Sequence, residues 1–177
     1  MHQQKKTNEG IKIRISGLSN GIYEHHISTE PPMIGLNQPF SGTIEIDAKI
    51  DKTARQIYLT TRVSTSGQFE CDRCLEEFNQ PITGSYAICY VYNEADARSN
   101  PNEEFVTISP DTVNMDLTEN IRETILFSVP LKLLCTEACR GLCPRCGVNK
   151  NREECTCSQE VNDPRWQGLQ DLMKQRK

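Results

Sequence analysis

The sequence predicts an α+β protein, mainly antiparallel β, with two short helices flanking a C-terminal zinc-binding segment. Three observations predict it. Apolar and polar residues alternate with a period of two through most of residues 11–92, helix-start signals stand at Asp116 and Asp163, and six of the nine cysteines fall between Cys135 and Cys157. The resulting division is a β-rich body over residues 1–116, with an acidic loop near 93–104, and a second part over 117–177. That second part comprises a helix, a cysteine-rich zinc lobe and a C-terminal helix packing on the body.

The strands follow in order. Ile11, Ile13 and Ile15 alternate with Lys12 and Arg14. Ile44, Ile46, Ala48 and Ile50 alternate with Glu45, Asp47 and Lys49, and Ile57, Leu59, Thr61 and Val63 alternate with Tyr58, Thr60 and Arg62. One apolar face per strand means sheets covered on one side, joined by antiparallel hairpins. Asp51 to Ala54 reads as a turn, and Ser66-Gly67 and Thr83-Gly84 read as further chain reversals. Tyr86, Ile88, Tyr90 and Tyr92 form a last long strand whose other face carries Ala87, Cys89 and Val91, a pattern expected of a strand buried on both sides. The run from Asn93 to Glu104 is polar, acidic and proline-containing, as in a solvated surface loop. Val106 and Ile108 suggest one more short strand.

Asp116 followed by Glu119 has the spacing of a capping box, with Leu117, Ile121, Ile125 and Leu126 on one face and Pro130 ending the helix. Asp163-Pro164 opens the second helix, on which Trp166, Leu169, Leu172 and Met173 share a face. Trp166 is expected to dock that helix.

Between the helices the cysteines are spaced Cys135-x3-Cys139-x3-Cys143-x2-Cys146-x8-Cys155-x-Cys157. Cys143-Pro-Arg-Cys146-Gly is a knuckle: two thiolates two residues apart, with a proline and a following glycine shaping a tight turn toward one metal ion. A tetrahedral zinc takes four ligands, so six thiolates leave two arrangements. Cys143 and Cys146 join either Cys155 and Cys157 or Cys135 and Cys139, and a two-zinc cluster is also open. Arg140, Arg145, Lys150 and Arg152 are threaded through this segment and are the candidate RNA-contacting residues, with Asn149 and Asn151 as possible hydrogen-bond donors. Their alternative role is to offset thiolate charge.

Cys71-Asp-Arg-Cys74 stands apart. As an exposed pair it could begin a second metal site or act in redox chemistry, although Glu70, Asp72, Glu76 and Glu77 should raise its thiol pKa values and so disfavour redox catalysis. Cys89 reads as a small buried apolar residue.

Composition sets further bounds. The formal net charge is −4, with 10 basic and 16 acidic residues through Asp116 against 10 and 8 beyond it, so there is no strongly basic footprint for unaided duplex binding. Residues 1–9 lack the apolar run of a secretory signal, and nowhere do about 18 apolar residues run together, so a cytoplasmic protein with reduced thiols and no membrane association is expected. The histidines are His2, His25 and His26. With no His-Glu-x-x-His, phosphate loop or nucleophile elbow, no enzyme and no small-molecule substrate are expected.

Cys71-Asp-Arg-Cys74-Leu75, then Pro130-Leu-Lys-Leu-Leu-Cys135, then Cys139-Arg-Gly-Leu-Cys-Pro-Arg-Cys-Gly-Val-Asn-Lys-Asn151, and finally Cys155-Thr-Cys157 with Asp163-Pro-Arg-Trp166 together resemble the YceD family of large ribosomal RNA subunit accumulation proteins. The resemblance extends from about Phe40 to Leu172. It implies a non-enzymatic role in 23S rRNA accumulation or processing and in large-subunit assembly. The implied partner is ribosomal RNA or a ribosomal or assembly protein. The alternative from the residues alone is a thiol redox or metal-transfer protein using Cys71 and Cys74.

Overall fold

The computed structural model describes residues 10–93 and 105–157, together with Gly168 and Leu172. Strands β1 (Lys12–Arg14), β2 (Gly21–Thr29), β3 (Ile44–Lys52), β4 (Gln56–Glu70), β5 (Glu77–Val91), β6 (Phe105–Thr107) and β7 (Asn114–Asp116) precede one helix, α1 (Thr118–Phe127). A 3-10 turn, Pro31–Ile34, links β2 to the chain entering β3. Strands β2-β3-β4-β5-β6 form one sheet in that order, and β1 pairs with β7 in a separate ribbon.

The alternation that predicts β3 and β4 also decides which face they bury. Ile44, Ile46, Ile50, Ile57 and Leu59 are fully enclosed on one face of the sheet. Each such side chain contributes about 1.5–3 kcal/mol relative to exposure. Helix α1 closes the same core with Leu117, Ile121 and Ile125, while Ile11, Ile13, Ile15 and Met115 bring the β1/β7 ribbon to its edge. Connections from β2 to β5 are antiparallel hairpins. Strand β6 runs parallel to β5, so the sheet is mixed.

Several expectations are corrected. Ser66-Gly67 and Thr83-Gly84 are not turns: both lie inside the 15-residue strands β4 and β5, which pair along their whole length from Gln56↔Val91 to Glu70↔Glu77. The glycines are there for close approach. A Cβ on Gly67 would sit 2.8 Å from the Pro39 carbonyl oxygen, and one on Gly84 would clash with Oγ of Ser128, the C-cap of α1, and sit 2.7 Å from Thr124 Cγ2. The last strand is buried on both faces only over Ile88–Val91, next to β6; Ala87 is exposed.

The start of α1 also differs. Leu117 is the N-cap, and the Asp116 carboxylate accepts from the N–H of Thr118 at 3.0 Å and from its hydroxyl at 2.5 Å. Glu119 pairs with Arg122 at 2.8 Å instead of reaching back to a cap. The helix stops at Phe127, and Leu126 is 41% exposed, off the buried face.

Among the described residues α1 is the one helix with a full run; Gly168 and Leu172, also helical, fall inside the segment expected to form the second. The rest of the helix expected from Asp163, Trp166, Leu169 and Met173 included, and the acidic run from Glu94 to Glu104 lie outside the described residues. No helix among the described residues is long and apolar enough to cross a membrane.

Candidate metal centres

The β4–β5 hairpin has its turn at Cys71-Asp-Arg-Cys74, so the first knuckle is the tip of the longest hairpin among the described residues. The Cys71 N–H donates to the Glu76 carbonyl at 3.0 Å and the Leu75 N–H returns to the Cys71 carbonyl at 2.9 Å, which closes the turn. Leu75 adopts φ 60° there, a left-handed conformation that the corresponding Gly147 of the second knuckle, at φ 76°, takes without a Cβ penalty.

The chain leaving α1 comes back to this tip and is stitched to it. Asp72 N–H donates to the Leu133 carbonyl at 2.8 Å, and the Leu133 N–H donates to the Asp72 carboxylate at 2.7 Å. Arg73 Nη1 donates to the carbonyls of Cys139 at 2.7 Å and Glu137 at 3.3 Å, and the Arg73 carbonyl accepts from Leu142 N–H at 2.9 Å. These bonds deliver Cys135 and Cys139 to Cys71 and Cys74. The Sγ atoms of Cys71 and Cys139 lie 3.8 Å apart, and those of Cys74 and Cys135 lie 3.6 Å apart.

A second group forms locally. Leu142 and Asn149 make an isolated antiparallel bridge, the Cys143 N–H donates to Val148 carbonyl at 2.8 Å, and Gly147 N–H donates to the Cys143 carbonyl at 2.9 Å. This small hairpin presents Cys143 and Cys146, and the following loop brings Cys155 within 3.2 Å of Cys143 and 3.6 Å of Cys146, sulfur to sulfur. Cys157 completes the set.

In each group of four, all sulfurs lie within 4.8 Å of one another. Four thiolates around a tetrahedral zinc at about 2.3 Å stand roughly 3.8 Å apart along each edge, so both groups have the donor type and spacing such an ion requires. Disulfides need sulfurs near 2.05 Å, and all nine cysteines are free of them. Each group can therefore hold a metal ion. Of the two arrangements open in the sequence, the geometry brings Cys143 and Cys146 to Cys155 and Cys157; Cys135 and Cys139 instead join Cys71 and Cys74, a pairing that spacing alone does not suggest.

Electrostatics within the groups favour a cation. Burial opposes the thiolate of Cys71, but N–H groups of Cys135, Arg73 and Cys74 outweigh it and bring the pKa down to about 6. The N–H groups of Cys146 and Arg145 and the thiol of Cys155 likewise lower Cys143 to about 6. Their neighbours are shifted the other way. Cys74 is pushed up to about 12 because burial and the adjacent sulfurs outweigh the favourable Glu76 N–H, and Cys157 is pushed up to about 12 by the sulfurs of Cys146 and Cys155 and by burial. The expectation that nearby carboxylates would raise both thiols of the first knuckle fails for Cys71, because backbone donors at contact distance outweigh more distant side-chain charges.

Burial separates the two groups. In the first group Cys71 is fully enclosed, Cys74 and Cys139 are 3% exposed and Cys135 is half-buried; in the second Cys143 is buried, Cys155 and Cys157 are half-buried and Cys146 is exposed. The exposed pair anticipated at Cys71 and Cys74 is thus an enclosed one, because the returning segment 133–142 covers it. The backbones carrying Arg140, Lys150 and Arg152 are adjacent, since the Lys150 N–H donates to the Gly141 carbonyl at 2.9 Å. Arg152 Nε pairs with Glu76 at 2.6 Å, Arg140 donates its backbone N–H to Asn151 Oδ1 at 2.7 Å, Arg145 is exposed and Lys150 half-buried. Cys89 is buried in β5, away from both groups, and His25 and His26 point to opposite faces of β2.

A family model described as large ribosomal RNA subunit accumulation protein YceD matches residues 59–173, a span that contains both cysteine groups. An uncharacterized protein of Mycobacterium tuberculosis is 22% identical over 167 residues, covering 90% of this chain and 78% of that one, and one of Mycobacterium bovis matches equally. The chloroplastic large ribosomal RNA subunit accumulation protein YCED homolog 1 of Arabidopsis thaliana is 29% identical over 73 residues, 41% of this chain and 23% of that one. No solved structure matches the chain. With the family model spanning more than half of its length, the chain belongs to the YceD family of large ribosomal RNA subunit accumulation proteins.

Proposed function

We propose that this protein is a non-enzymatic factor that supports 23S rRNA accumulation and assembly of the large ribosomal subunit, with two structural zinc ions, one in each cysteine group. The observation that carries the structural role of the metals is the composition of the groups. Among the described residues each offers four sulfurs and no other donor, and a closed four-thiolate shell has no open position for a substrate or an activated water. Inner zinc, on Cys71, Cys74, Cys135 and Cys139, fastens the tail to the tip of the β4–β5 hairpin. Outer zinc, on Cys143, Cys146, Cys155 and Cys157, folds the small hairpin that follows. The family description supplies the ribosomal role.

Enclosure of Cys71 and Cys74 weighs against the alternative of a redox or metal-transfer pair, which needs sulfurs that a partner can reach. Two measurements test the proposal together. Cells lacking the gene should contain less mature 23S rRNA and fewer 50S than 30S particles, and the purified protein should carry close to two zinc ions per chain with unreactive inner thiols. Unchanged subunit profiles would remove the ribosomal role; thiols of the first knuckle that cycle readily would favour the redox reading.

A further inference from the structure

The geometry points to the free edge of β2 as the docking site for an extended protein segment that alternates basic and apolar residues, added as a sixth strand beside β2. The inference rests on the ribosomal reading only for its relevance in the cell. Its physical basis is the edge itself.

Strand β2 is nine residues long, pairs continuously with β3 from Gly21↔Lys52 to Thr29↔Ile44, and contains neither proline nor bulge. Among the described residues no backbone hydrogen bond reaches it from any element but β3. Such a row of outward N–H and C=O groups is a template for a further strand.

Its two rows of side chains specify the occupant. The outer row carries Ile22, Glu24, His26 and Ser28, backed on β3 by Glu45, Asp47, Lys49 and Asp51. Four carboxylates therefore face one lysine and one histidine, and that histidine is already held between Asp47 at 2.7 Å and Glu45 at 3.3 Å. Residues on an added strand lie about 4.5–5.5 Å from the outer row, where lysine or arginine is favoured. The inner row carries Tyr23, His25 and Ile27, half-buried against the core, which apolar residues on the added strand would finish covering. His25 Nε2 is shielded from solvent and has no hydrogen-bond partner. A cavity of about 370 Å³ lies beside it, lined also by Glu24, His26 and Asp47.

Net charge argues the same way against RNA as the occupant. The formal charge is −4, and zinc bound as proposed in both four-thiolate sites would bring it to about −8, at about −2 for each site. A polyanion is repelled by such a chain, whereas a basic polypeptide is steered to it. A second copy of this chain would bring the same carboxylates to the edge.

The test uses the full chain loaded with zinc and three fluorescent probes: a ten-residue alternating Lys-Val peptide, a ten-residue Lys-Pro peptide of equal charge, and a single-stranded ten-nucleotide RNA. The Lys-Val peptide should bind, should slow amide exchange within residues 21–29, and should bind at least tenfold more tightly than the Lys-Pro peptide, whose prolines cannot donate to a ladder. Binding should weaken at least tenfold in Glu24→Lys/Asp47→Asn and on raising salt from about 50 to about 500 mM. Equal binding of the two peptides, exchange slowed elsewhere but not in β2, preference for the RNA, or a dimer that protects β2 without peptide would each overturn the proposal. Subunit profiles in cells are read separately, so loss of this docking surface and loss of the ribosomal role give different results.

Discussion

Asn151 lies in the loop between Cys146 and Cys155, yet its Nδ2 donates to Sγ of Cys139, 3.2 Å away in the other cysteine group. One amide thus couples the two candidate metal centres: its Oδ1 also accepts from the Arg140 N–H at 2.7 Å and fixes the link between them. Asn151→Ala should weaken metal binding at the inner group by about 10–100-fold, as loss of an outer-shell hydrogen bond commonly does, with a smaller effect on the outer group. Competition with a chromophoric chelator measures both affinities; equal losses at the two sites would show that Asn151 acts through general folding.

Metal removal should proceed in two steps. Three of the four outer cysteines are exposed or half-buried, against one of the four inner ones, so a chelator such as EDTA should take one equivalent first while the near-native sheet signal in circular dichroism persists. Cys143→Ser should likewise retain about one zinc per chain. Cys74→Ser removes a ligand that holds the tail to the sheet and should lower thermal stability more than Cys143→Ser, because binding free energy there is tertiary folding free energy. A single release step in the wild type, or equal destabilisation by the two variants, would contradict this order.

Gly84 is where α1 touches the sheet. With Ser128 Oγ, Thr124 Cγ2 and the Thr124 carbonyl all within 3.3 Å of a Cβ placed there, Gly84→Val should push the helix outward and cost about 1–3 kcal/mol in chemical denaturation. At Gly17 a Cβ would meet no atom within 4 Å, but the backbone sits at φ 81°, so Gly17→Ala should be destabilising by strain alone and to a smaller degree.

His26 should titrate above its ordinary value of 6.5, because Asp47 accepts its hydrogen bond and stabilises the imidazolium, with burial opposing only weakly. The raised pKa fixes the sign: the contribution to stability is complete below about 6.5, the unfolded value, and disappears as pH rises through the higher folded one. In Asp47→Asn the imidazole resonances should shift at a lower pH than in the wild type, and an unchanged midpoint would rule out that pair as the cause.

The core was largely legible because its signal is local: the period-two isoleucines of β1, β3 and β4 are buried as their alternation requires. Strand ends were not. Gly67 and Gly84 look like turns in sequence because the atoms that demand a glycine, the Pro39 carbonyl and the Thr124 and Ser128 side chains, come from segments 28 and 40 or more residues away. The outer group was legible as one of two options, since its members lie within 15 residues of one another. Membership of Cys71 and Cys74 with Cys135 and Cys139 was not, because it depends on where a hairpin tip and a returning tail meet across separations of 61 and 68 residues. The helix cap was misread for a smaller reason: Asp116 already belongs to β7, so its carboxylate serves the first helical N–H and not the third.

The placement of Cys71 and Cys74 at the hairpin tip makes the inner group a check on strand alignment. Both strands of the hairpin are 15 residues long, and a slip of one residue anywhere along them would displace the two sulfurs by about 3.3 Å relative to Cys135 and Cys139, nearly the whole sulfur spacing. A misaligned sheet could then bind metal at the outer group but not at the inner one. During refolding with zinc present, uptake should accordingly split into a fast equivalent and a slow one whose rate equals that of sheet formation, so that a full complement of metal certifies a correctly threaded β4–β5 pair.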